Sequence, residues 1–367
     1  MKIKINKNEI VNLVSISQKA ISSRNPVQIL DGILFIARDN KLKLISTDME
    51  MTIETSTDCI VEESGELVIN SGLFGDIVRN LPNGLVNINT NMTSVEIKSG
   101  NSQFHLTGQE SDEFPLSPSI DENSESFDIS GNKLKKAVRE TEFATSLDVT
   151  RPHLNGIFLE KKNSNLRFVA IDGYRLAISD LEVENDSLGD LELIVQKKAL
   201  NELCKFIGDD DRVSVKKSKT HILFETENTK MYSRLIDKKY LDYMAILSVD
   251  IKSKIKVNRL DLLRSIERAS LLLREGRVNL VKLSISDNTI NVSSNSEIGN
   301  SNEDINCEID GESVNIAFNA RYLIDGLKVI EEDEVVLKAN GELDPMEIVP
   351  SRSNDFLYLV LPVRVGR

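Results

Sequence analysis

The sequence is poor in the residues that form disulfides, metal sites and many active sites. Among 367 residues there are three cysteines and three histidines. Cys59, Cys204 and Cys307 lie far apart and form no CxxC pair. This spacing argues against a disulfide framework or a zinc site and is typical of the reducing cytoplasm. We therefore expect a cytoplasmic protein that uses no cofactor and no metal.

The motifs of common catalytic sites are also missing, since the sequence contains no P-loop, GxGxxG, GxSxG or HExxH. His105 and His221 lie in alternating, strand-like stretches, which favours a structural role. His153 lies in a loop that enters a strand, where contact with a phosphate is the less favoured interpretation. The acidic run at 208–212 could hold Mg²⁺, but a solvated turn after a helix is the favoured interpretation. The chain is therefore predicted not to be an enzyme.

No run of eighteen apolar residues is present, so no membrane-spanning helix is expected. The first residues, MKIKINKNEI, lack the apolar stretch of a signal peptide. The composition, with 40% hydrophobic and 28% charged residues, is typical of a soluble globular protein. A chain of this length suits two or three domains.

The chain repeats one pattern three times. Two sets of amphipathic, helix-like segments alternate with strand pairs that carry a polar turn. The second set of helices recurs after 125 and 123 residues, and the turns recur after 124 and 123 residues. The helices begin near Lys7, Asn132 and Arg259 in the first set and near Ser71, Gln196 and Asn319 in the second, and the turns are at Asp48, Asp172 and Asn295. We therefore predict three tandem α+β domains at 1–121, 122–247 and 248–367, each with two helices packed on antiparallel sheets.

The middle strand pair contains the stretch AIDGYRLAIS at 170–179. The dipeptide at 172–173 predicts a tight turn, because glycine adopts positive φ at no steric cost. Tyr174 and Arg175 follow the turn in a chain that has few aromatic residues. The residues alone leave the role of this pair open, and a hairpin tip packed on its own domain is the simpler alternative.

Charge is distributed unevenly over the predicted elements. The net charge is −13, but the six helices together carry +9 and the rest of the chain −22. Ordinary solvated helix faces would explain any single helix. Because five of the six helices are positive against an acidic background, we favour a shared basic surface that contacts phosphates without reading bases.

Several short stretches, in this order and spacing, resemble the family of bacterial DNA sliding clamps, the β subunits of the DNA polymerase III holoenzyme. They are RNPVQIL (24–30), TDMEM (47–51), TRPHLNGI (150–157), AIDGYRLA (170–177), FNARYL (318–323) and YLVLPVRV (358–365). The resemblance implies a head-to-tail homodimer in which six domains form a closed ring around double-stranded DNA, with the helices lining the hole. It also implies tethering of the polymerase catalytic subunit, the clamp loader and other clamp-binding proteins.

The resemblance assigns three groups of residues. The DNA-contacting group is Arg24, Arg79, Arg151, Lys197 and Lys198. The peptide pocket comprises Leu154, Ile171, Gly173, Tyr174, Arg175, Leu176, Ile246, Asn319, Tyr322, Val360, Leu361, Pro362, Val363 and Arg364, with Tyr174 and Arg175 at its rim. The dimer interface pairs Phe104 and Leu106 with Leu271 and Leu272.

The chain departs from the family pattern at Ile171, where the family often has Thr, and at Leu241, where it commonly has Pro. Some members have His where this chain has Tyr174. Gly366 and Arg367 extend past the usual terminus. These differences imply a pocket with its own peptide preference. The competing interpretation is a protein-binding scaffold that does not act on DNA.

Overall fold

The computed structural model describes residues 1–22, 27–121, 123–247, 251–272 and 279–364. It divides into two compact units, which are described separately below. The first contains Met1–Asn132, Glu184–Leu188 and Lys198–Leu235, and the second contains Lys133–Val183, Gly189–Lys197 and Ile236–Arg367. Within the described ranges, no helix is long and apolar enough to cross a membrane.

The N-terminal third of the chain forms nine strands and two helices among the described residues. The strands are β1 (Lys2–Asn6), β2 (Gly32–Arg38), β3 (Lys41–Thr47), β4 (Met51–Asp58), β5 (Ile60–Glu63), β6 (Gly65–Asn70), β7 (Leu85–Asn91), β8 (Ser94–Ser99) and β9 (Ser102–Thr107). The helices are α1 (Lys7–Ser17) and α2 (Ser71–Asn80).

The middle third repeats this arrangement with eight strands. They are β10 (Ser126–Ser130), β11 (Gly156–Lys162), β12 (Asn165–Ile171), β13 (Arg175–Glu182), β14 (Leu191–Gln196), β15 (Arg212–Lys217), β16 (His221–Glu225) and β17 (Thr229–Arg234). The helices are α3 (Gly131–Thr141) and α4 (Lys197–Cys204), and short 3₁₀ helices lie at Glu142–Ala144 and Pro152–Leu154.

The C-terminal third again has eight strands and two helices in its described part. The strands are β18 (Ser253–Asn258), β19 (Leu280–Ser286), β20 (Thr289–Ser296), β21 (Gly299–Gly311), β22 (Val314–Asn319), β23 (Glu334–Ala339), β24 (Met346–Pro350) and β25 (Phe356–Val360). The helices are α5 (Arg259–Ser270) and α6 (Ala320–Val329). The six predicted helices are therefore present, each within one residue of its predicted start.

Asparagine side chains begin four of these helices. Asn6, Asn70, Asn258 and Asn319 each have an extended or near-extended backbone and accept a hydrogen bond from an N–H in the first turn of α1, α2, α5 and α6 respectively. Such a cap satisfies one of the N–H groups that the helix leaves unpaired, which typically contributes about 1 kcal/mol. The repeated cap fixes where each helix leaves its preceding strand.

Antiparallel sheets connect successive thirds of the chain. In the first unit, β17 of the middle third pairs with β4, giving the strand order β10-β15-β16-β17-β4-β3-β2-β6. In the second unit, β13 pairs with β25 inside a twelve-stranded sheet ordered β14-β11-β12-β13-β25-β24-β23-β18-β21-β20-β19-β22. Each pairing saturates backbone groups that would otherwise form an open strand edge. The middle third is therefore divided between two sheets.

The cores follow from the alternation of the strands. In the first unit, Phe35 and Phe74 meet edge to face with ring centroids 4.8 Å apart, in a cluster with apolar residues of α1 and α2. In the second unit, one cluster surrounds α5 and α6, and another lies around Phe158, Tyr240 and Tyr243. Phe158 and Tyr240 stack at 4.6 Å. Burial of these side chains is the main source of stability in each unit.

The predicted turn at Asn295 is wrong. Asn295 lies inside β20 and pairs with Asn300, and the ladder continues to the pair Ser296 and Gly299. In the first two hairpins an aspartate, Asp48 or Asp172, begins the turn. In the third, the Ser296 hydroxyl accepts the N–H of Ile298 at 3.4 Å, so the turn starts after Ser296.

Candidate functional site

The hairpin between β12 and β13 turns at 172–174, as predicted. Gly173 has φ +97, in the region where side chains with a β-carbon are strained. The Asp172 carboxylate accepts the backbone N–H groups of Tyr174 at 2.9 Å and Arg175 at 3.1 Å. Asp48 accepts the N–H groups of Glu50 and Met51 in the same way, so the first two repeats share one type of turn. The turn leaves Tyr174 61% exposed.

Arg175 is not at the rim, contrary to expectation, because the residue is only 8% exposed. Its guanidinium donates to Asp172 at 2.9 Å, to Asp325 of α6 at 2.7 Å and to the carbonyl oxygen of Phe143 at 2.8 Å. The same group lies 4.5 Å from the centre of the Tyr322 ring. Three hydrogen bonds and an aromatic face offset the cost of burying the charge. Arg175 therefore joins the hairpin to α6.

The apolar residues assigned to the pocket separate into a buried floor and a more accessible rim. Leu154, Ile171, Leu176 and Val360 are at most 5% exposed and form part of the hydrophobic clusters. The residues Ile246, Tyr322, Leu361, Pro362 and Val363 are half-buried. A partner could contact only the second group and Tyr174 without rearrangement of the floor.

The C-terminal tail runs beside the hairpin. The N–H of Leu361 donates to the carbonyl oxygen of Tyr174 at 2.9 Å, and the N–H of Val363 donates to that of Ala317 in β22 at 2.7 Å. The Tyr174 and Tyr322 rings stack with their centroids 6.1 Å apart. Burial and the nearby Asp172 carboxylate raise the pKa of Tyr322. The hairpin, α6 and the tail thus form one continuous surface, which we call the cleft.

Two further assigned pocket residues lie at the ends of the elements that form the cleft. The Asn319 side chain caps α6 by accepting the N–H of Arg321 at 3.1 Å. Arg364 is exposed at the end of the described tail. Leu241, the departure from the family pattern, is 43% exposed, whereas its neighbours Tyr240 and Tyr243 are buried.

The four described residues assigned to DNA contact are at least partly accessible, and each already has an acidic partner. Lys198 lies 2.5 Å from Asp48, and Arg79 lies 2.8 Å from Asp76 in the first unit. In the second unit, the corresponding distances are 2.7 Å for Lys197 and Glu142 and 3.7 Å for Arg151 and Asp148. Exposed ion pairs contribute only about 0.2–1 kcal/mol, so a phosphate can replace the carboxylate. Arg24 lies outside the described residues.

The residues assigned to the dimer interface include two exposed apolar side chains. In the first unit, Phe104 is 39% exposed on β9, while Leu106 on the same strand packs partly against the core. In the described part of the chain, β9 pairs only with β8 and forms one end of its five-stranded sheet. In the second unit, Leu271 follows α5 and is 79% exposed, and Leu272 is half-buried.

Sequence reasoning missed the partners of Arg175 and a buried carboxyl on α3, Glu140. The side chain of Glu140 lies 2.6 Å from the Ser179 hydroxyl of β13. An acidic residue in an amphipathic helix gives no sign of burial unless the face that packs is known. The turn residue Asp172 was visible as a potential partner, but Asp325 lies 150 positions from Arg175.

Comparison with known proteins supports this geometry along the whole chain. Family models for the N-terminal, central and C-terminal domains of the DNA polymerase III β subunit match residues 1–118, 128–242 and 244–364. The beta sliding clamp of Bacillus subtilis is 35% identical over 99% of this chain and 100% of its own length.

Solved structures give the same result. A DNA polymerase sliding clamp from Bacillus subtilis superposes with a TM-score of 0.97 at 35% identity, covering 100% of both chains. A sliding clamp from Pseudomonas aeruginosa bound to griselimycin superposes with a TM-score of 0.95 at 25% identity and the same coverage. The chain therefore belongs to the family of bacterial DNA sliding clamps, the β subunits of DNA polymerase III, and has three clamp domains.

Proposed function

We propose that two copies of this chain join head to tail into a closed ring that encircles double-stranded DNA and slides along it. The family membership carries this proposal. A ring need not bind DNA tightly, because it cannot dissociate without opening. The weak, salt-sensitive phosphate contacts expected of Arg79, Arg151, Lys197 and Lys198 are therefore sufficient. Such a clamp is a non-catalytic subunit and acts in the cytoplasm.

Two strand edges support the dimer. In the described residues, β9 pairs on one side only, and residues 299–306 of β21 pair only with β20. Unpaired edges of this kind invite association with another chain. Pairing β9 of one copy with β21 of the other would cover both edges. Phe104, Leu106, Leu271 and Leu272 would provide apolar contacts beside that joint. The exact domain boundaries at 121 and 247 stay a prediction.

The ring form is tested first by small-angle scattering with mass from light scattering, on the purified protein without DNA. We expect a mass near twice 41.1 kDa and the scattering profile of a hollow ring. A compact monomer, or a dimer without a central hole, would overturn the clamp function and favour a scaffold that does not act on DNA.

We further propose that the cleft holds short peptide segments of the polymerase catalytic subunit, the clamp loader and other clamp-binding proteins. Apolar side chains anchored against Tyr174, Tyr322 and the half-buried tail residues would supply most of the affinity. The Tyr174 ring, where other members have His, would give the pocket a larger apolar wall.

A substitution at the rim tests the cleft better than one in its floor, because Val360 is fully buried and a charge there would disrupt the core. We expect Leu361→Asp to abolish most binding of a labelled clamp-binding peptide in fluorescence polarisation. Leu116→Asp is the matched control, since Leu116 is 95% exposed and belongs to the first unit, whereas the cleft residues belong to the second. Equal binding by both variants would refute the peptide site.

A further inference from the structure

A buried carboxyl lies between α3 and the sheet of the second unit. Glu140 is 3% exposed. Its Oε2 lies 2.6 Å from the Ser179 hydroxyl on β13, and its Oε1 lies 3.8 Å from the Lys136 ammonium one turn earlier on α3. A buried carboxyl with so few partners is costly to ionise.

Lys136 also connects α3 to the C-terminal third. Its ammonium lies 2.5 Å from Oδ2 of Asp355, the residue before β25. The carbonyl oxygen of Asp355 accepts the N–H of Asp180 at 2.7 Å, which continues the β13–β25 ladder. A second ion pair, between Arg139 and Glu331 at 2.5 Å, holds the exposed side of the same helix. One ammonium thus serves two carboxyl groups, each on a different element.

The same helix contacts the ladder at its other end. The β13–β25 pairing runs from Ser179 opposite Phe356 to Arg175 opposite Val360. The 3₁₀ helix that follows α3 presents the carbonyl oxygen of Phe143 to the Arg175 guanidinium at 2.8 Å. A shift of α3 near Ser179 would therefore move a hydrogen-bond acceptor of Arg175, which holds the hairpin of the cleft.

The charge of Glu140 is poised to change near neutral pH. Burial raises the pKa of the Glu140 carboxyl to about 7, and the nearby Asp355 carboxylate adds to this rise. The Ser179 hydrogen bond and the positive charges of Lys136 and Arg139 oppose it. An open cavity of about 450 Å³, lined by Lys136, Ser179 and Asp355 among others, adjoins this cluster. The cavity gives water access to the cluster and leaves room for Lys136 to move.

We propose that Glu140 is a positioning residue for the peptide cleft, whose gain or loss of a proton changes how α3 is seated on β13 and β25. With Glu140 neutral, Lys136 is held by Asp355 alone and α3 packs closely. With Glu140 ionised, Lys136 is shared between two carboxylates, the packing on β13 loosens, and the contact from Phe143 to Arg175 weakens. This inference rests on the proposed binding of peptides in the cleft.

The test measures peptide affinity against pH. A labelled peptide from the clamp-binding segment of the replicative polymerase, with blocked ends and without ionisable side chains, is titrated by fluorescence polarisation from pH 6 to 8.5. We expect the affinity of the wild-type protein to fall about fivefold across this range. Glu140→Gln should bind the peptide at every pH with the affinity of the wild-type protein in which Glu140 is protonated. Glu192→Gln, an exposed change on β14 outside the lining of this cavity, should behave as the wild type.

Two further variants keep the test decisive. Lys136→Met removes a cation that stabilises ionised Glu140, so the midpoint of the affinity change should move to higher pH. A purely structural role would lower affinity at every pH and leave the midpoint in place. Histidines also change charge in this range, so His153→Asn is made in the wild-type and Glu140→Gln backgrounds.

The outcomes separate the two proposals. Absence of peptide binding at every pH would overturn the cleft function and this inference together. A peptide affinity that does not change with pH would overturn this inference alone. An affinity that changes with pH in Glu140→Gln as it does in the wild type would do the same. If His153→Asn, and not Glu140→Gln, abolishes the pH dependence of peptide affinity, this inference is also overturned. A carboxyl carbon NMR signal of Glu140 that titrates well below pH 6 would contradict it directly.

Discussion

At the scale of single residues, buried charges are the features that most constrain this protein. Arg175 is held by two aspartates, a carbonyl oxygen and the Tyr322 ring, and these partners come from three separate parts of the chain. Removing one member of such a group leaves the others buried without a counter-charge, which costs more than the net contribution of the intact group.

We therefore expect Arg175→Ala to lower the free energy of unfolding by about 3 kcal/mol and to weaken peptide binding. Arg175→Lys should recover only part of the loss, since an ammonium cannot reproduce the planar fork. Denaturant unfolding and peptide titration measure the two effects. Arg321→Ala is the control, because Arg321 is exposed and lies 3.9 Å from the same Asp325. A loss in that variant as large as in Arg175→Ala would contradict this account.

Glu140 gives the stability of the protein a specific pH dependence. Since the pKa of Glu140 is raised to about 7 in the folded state, the folded protein holds a proton that the unfolded chain has already released above its ordinary value of 4.5. The contribution of this group to stability is thus fully present below about pH 4.5 and is lost as pH rises through 7.

Glu140→Gln should remove this loss. We expect the variant to be more stable than the wild type at pH 8 by about 1–3 kcal/mol, with a much smaller difference at pH 5. Glutamine keeps a group that can hydrogen-bond to Ser179. Thermal unfolding at both pH values, with the exposed Glu192→Gln as the control, measures the change. A difference between variant and wild type that stays the same at both pH values would show that ionisation is not the cause.

At the scale of elements, helices with basic side chains are partly neutralised by acids of neighbouring loops and strands. The predicted helical segments sum to +9, whereas α1–α6 within their observed bounds sum to +6, and α4 illustrates a further limit of the count. Lys198 pairs with Asp48 in the β3–β4 turn, and Lys197 pairs with Glu142. A phosphate must displace these acids, so each contact with DNA should be weak and sensitive to salt.

For Lys198→Ala we predict a loss of affinity at low salt that is the same for duplex DNA of any sequence. The slope of the logarithm of the binding constant against the logarithm of the salt concentration should be smaller by about one. Binding is measured by fluorescence anisotropy over a series of salt concentrations. Lys162→Ala is the matched control, since Lys162 is exposed on β11 and also has an acidic partner, Glu160, at 2.6 Å. If both variants bind DNA equally, the assignment of Lys198 is wrong.

At the scale of the whole molecule, the expected ring depends on the association of two chains through surfaces that are exposed in one. Phe104 and Leu271 are large apolar side chains at such positions. Full burial of such a side chain contributes about 1.5–3 kcal/mol, and burying the exposed part of each contributes a share of this, so placing a charge there should weaken the dimer and leave the fold of each chain intact.

Phe104→Asp should therefore convert the dimer into a monomer of 41.1 kDa at micromolar concentration. Light scattering after size exclusion gives the mass, and circular dichroism checks that the chain remains folded. Leu116→Asp serves as the control, because Leu116 is 95% exposed in the linker after β9. A folded Phe104→Asp variant that stays dimeric would place the interface elsewhere.

The sequence by itself determined the repeated α+β pattern, because its signals are local. Periodic apolar residues set the helices within one residue of their starts, and the Asp-Gly dipeptide with its positive φ set the turn at 172–174. The turn at Asn295 was misplaced for the same reason, since a run of polar residues does not mark where a ladder ends. The family resemblance assigned candidate sites but not their burial.

Only the tertiary structure decided which of those residues are buried and what they contact. The pairings of β17 with β4 and of β13 with β25 join strands that are far apart in sequence, and no local pattern specifies them. The burial of Arg175 and Glu140 follows from the packing of α3 and α6 against β13, because a charged side chain is enclosed only when a distant element packs over it. Asp325 contacts Arg175, and Asp355 contacts Lys136 beside Glu140. Both partners are recognised only from their positions in the folded chain.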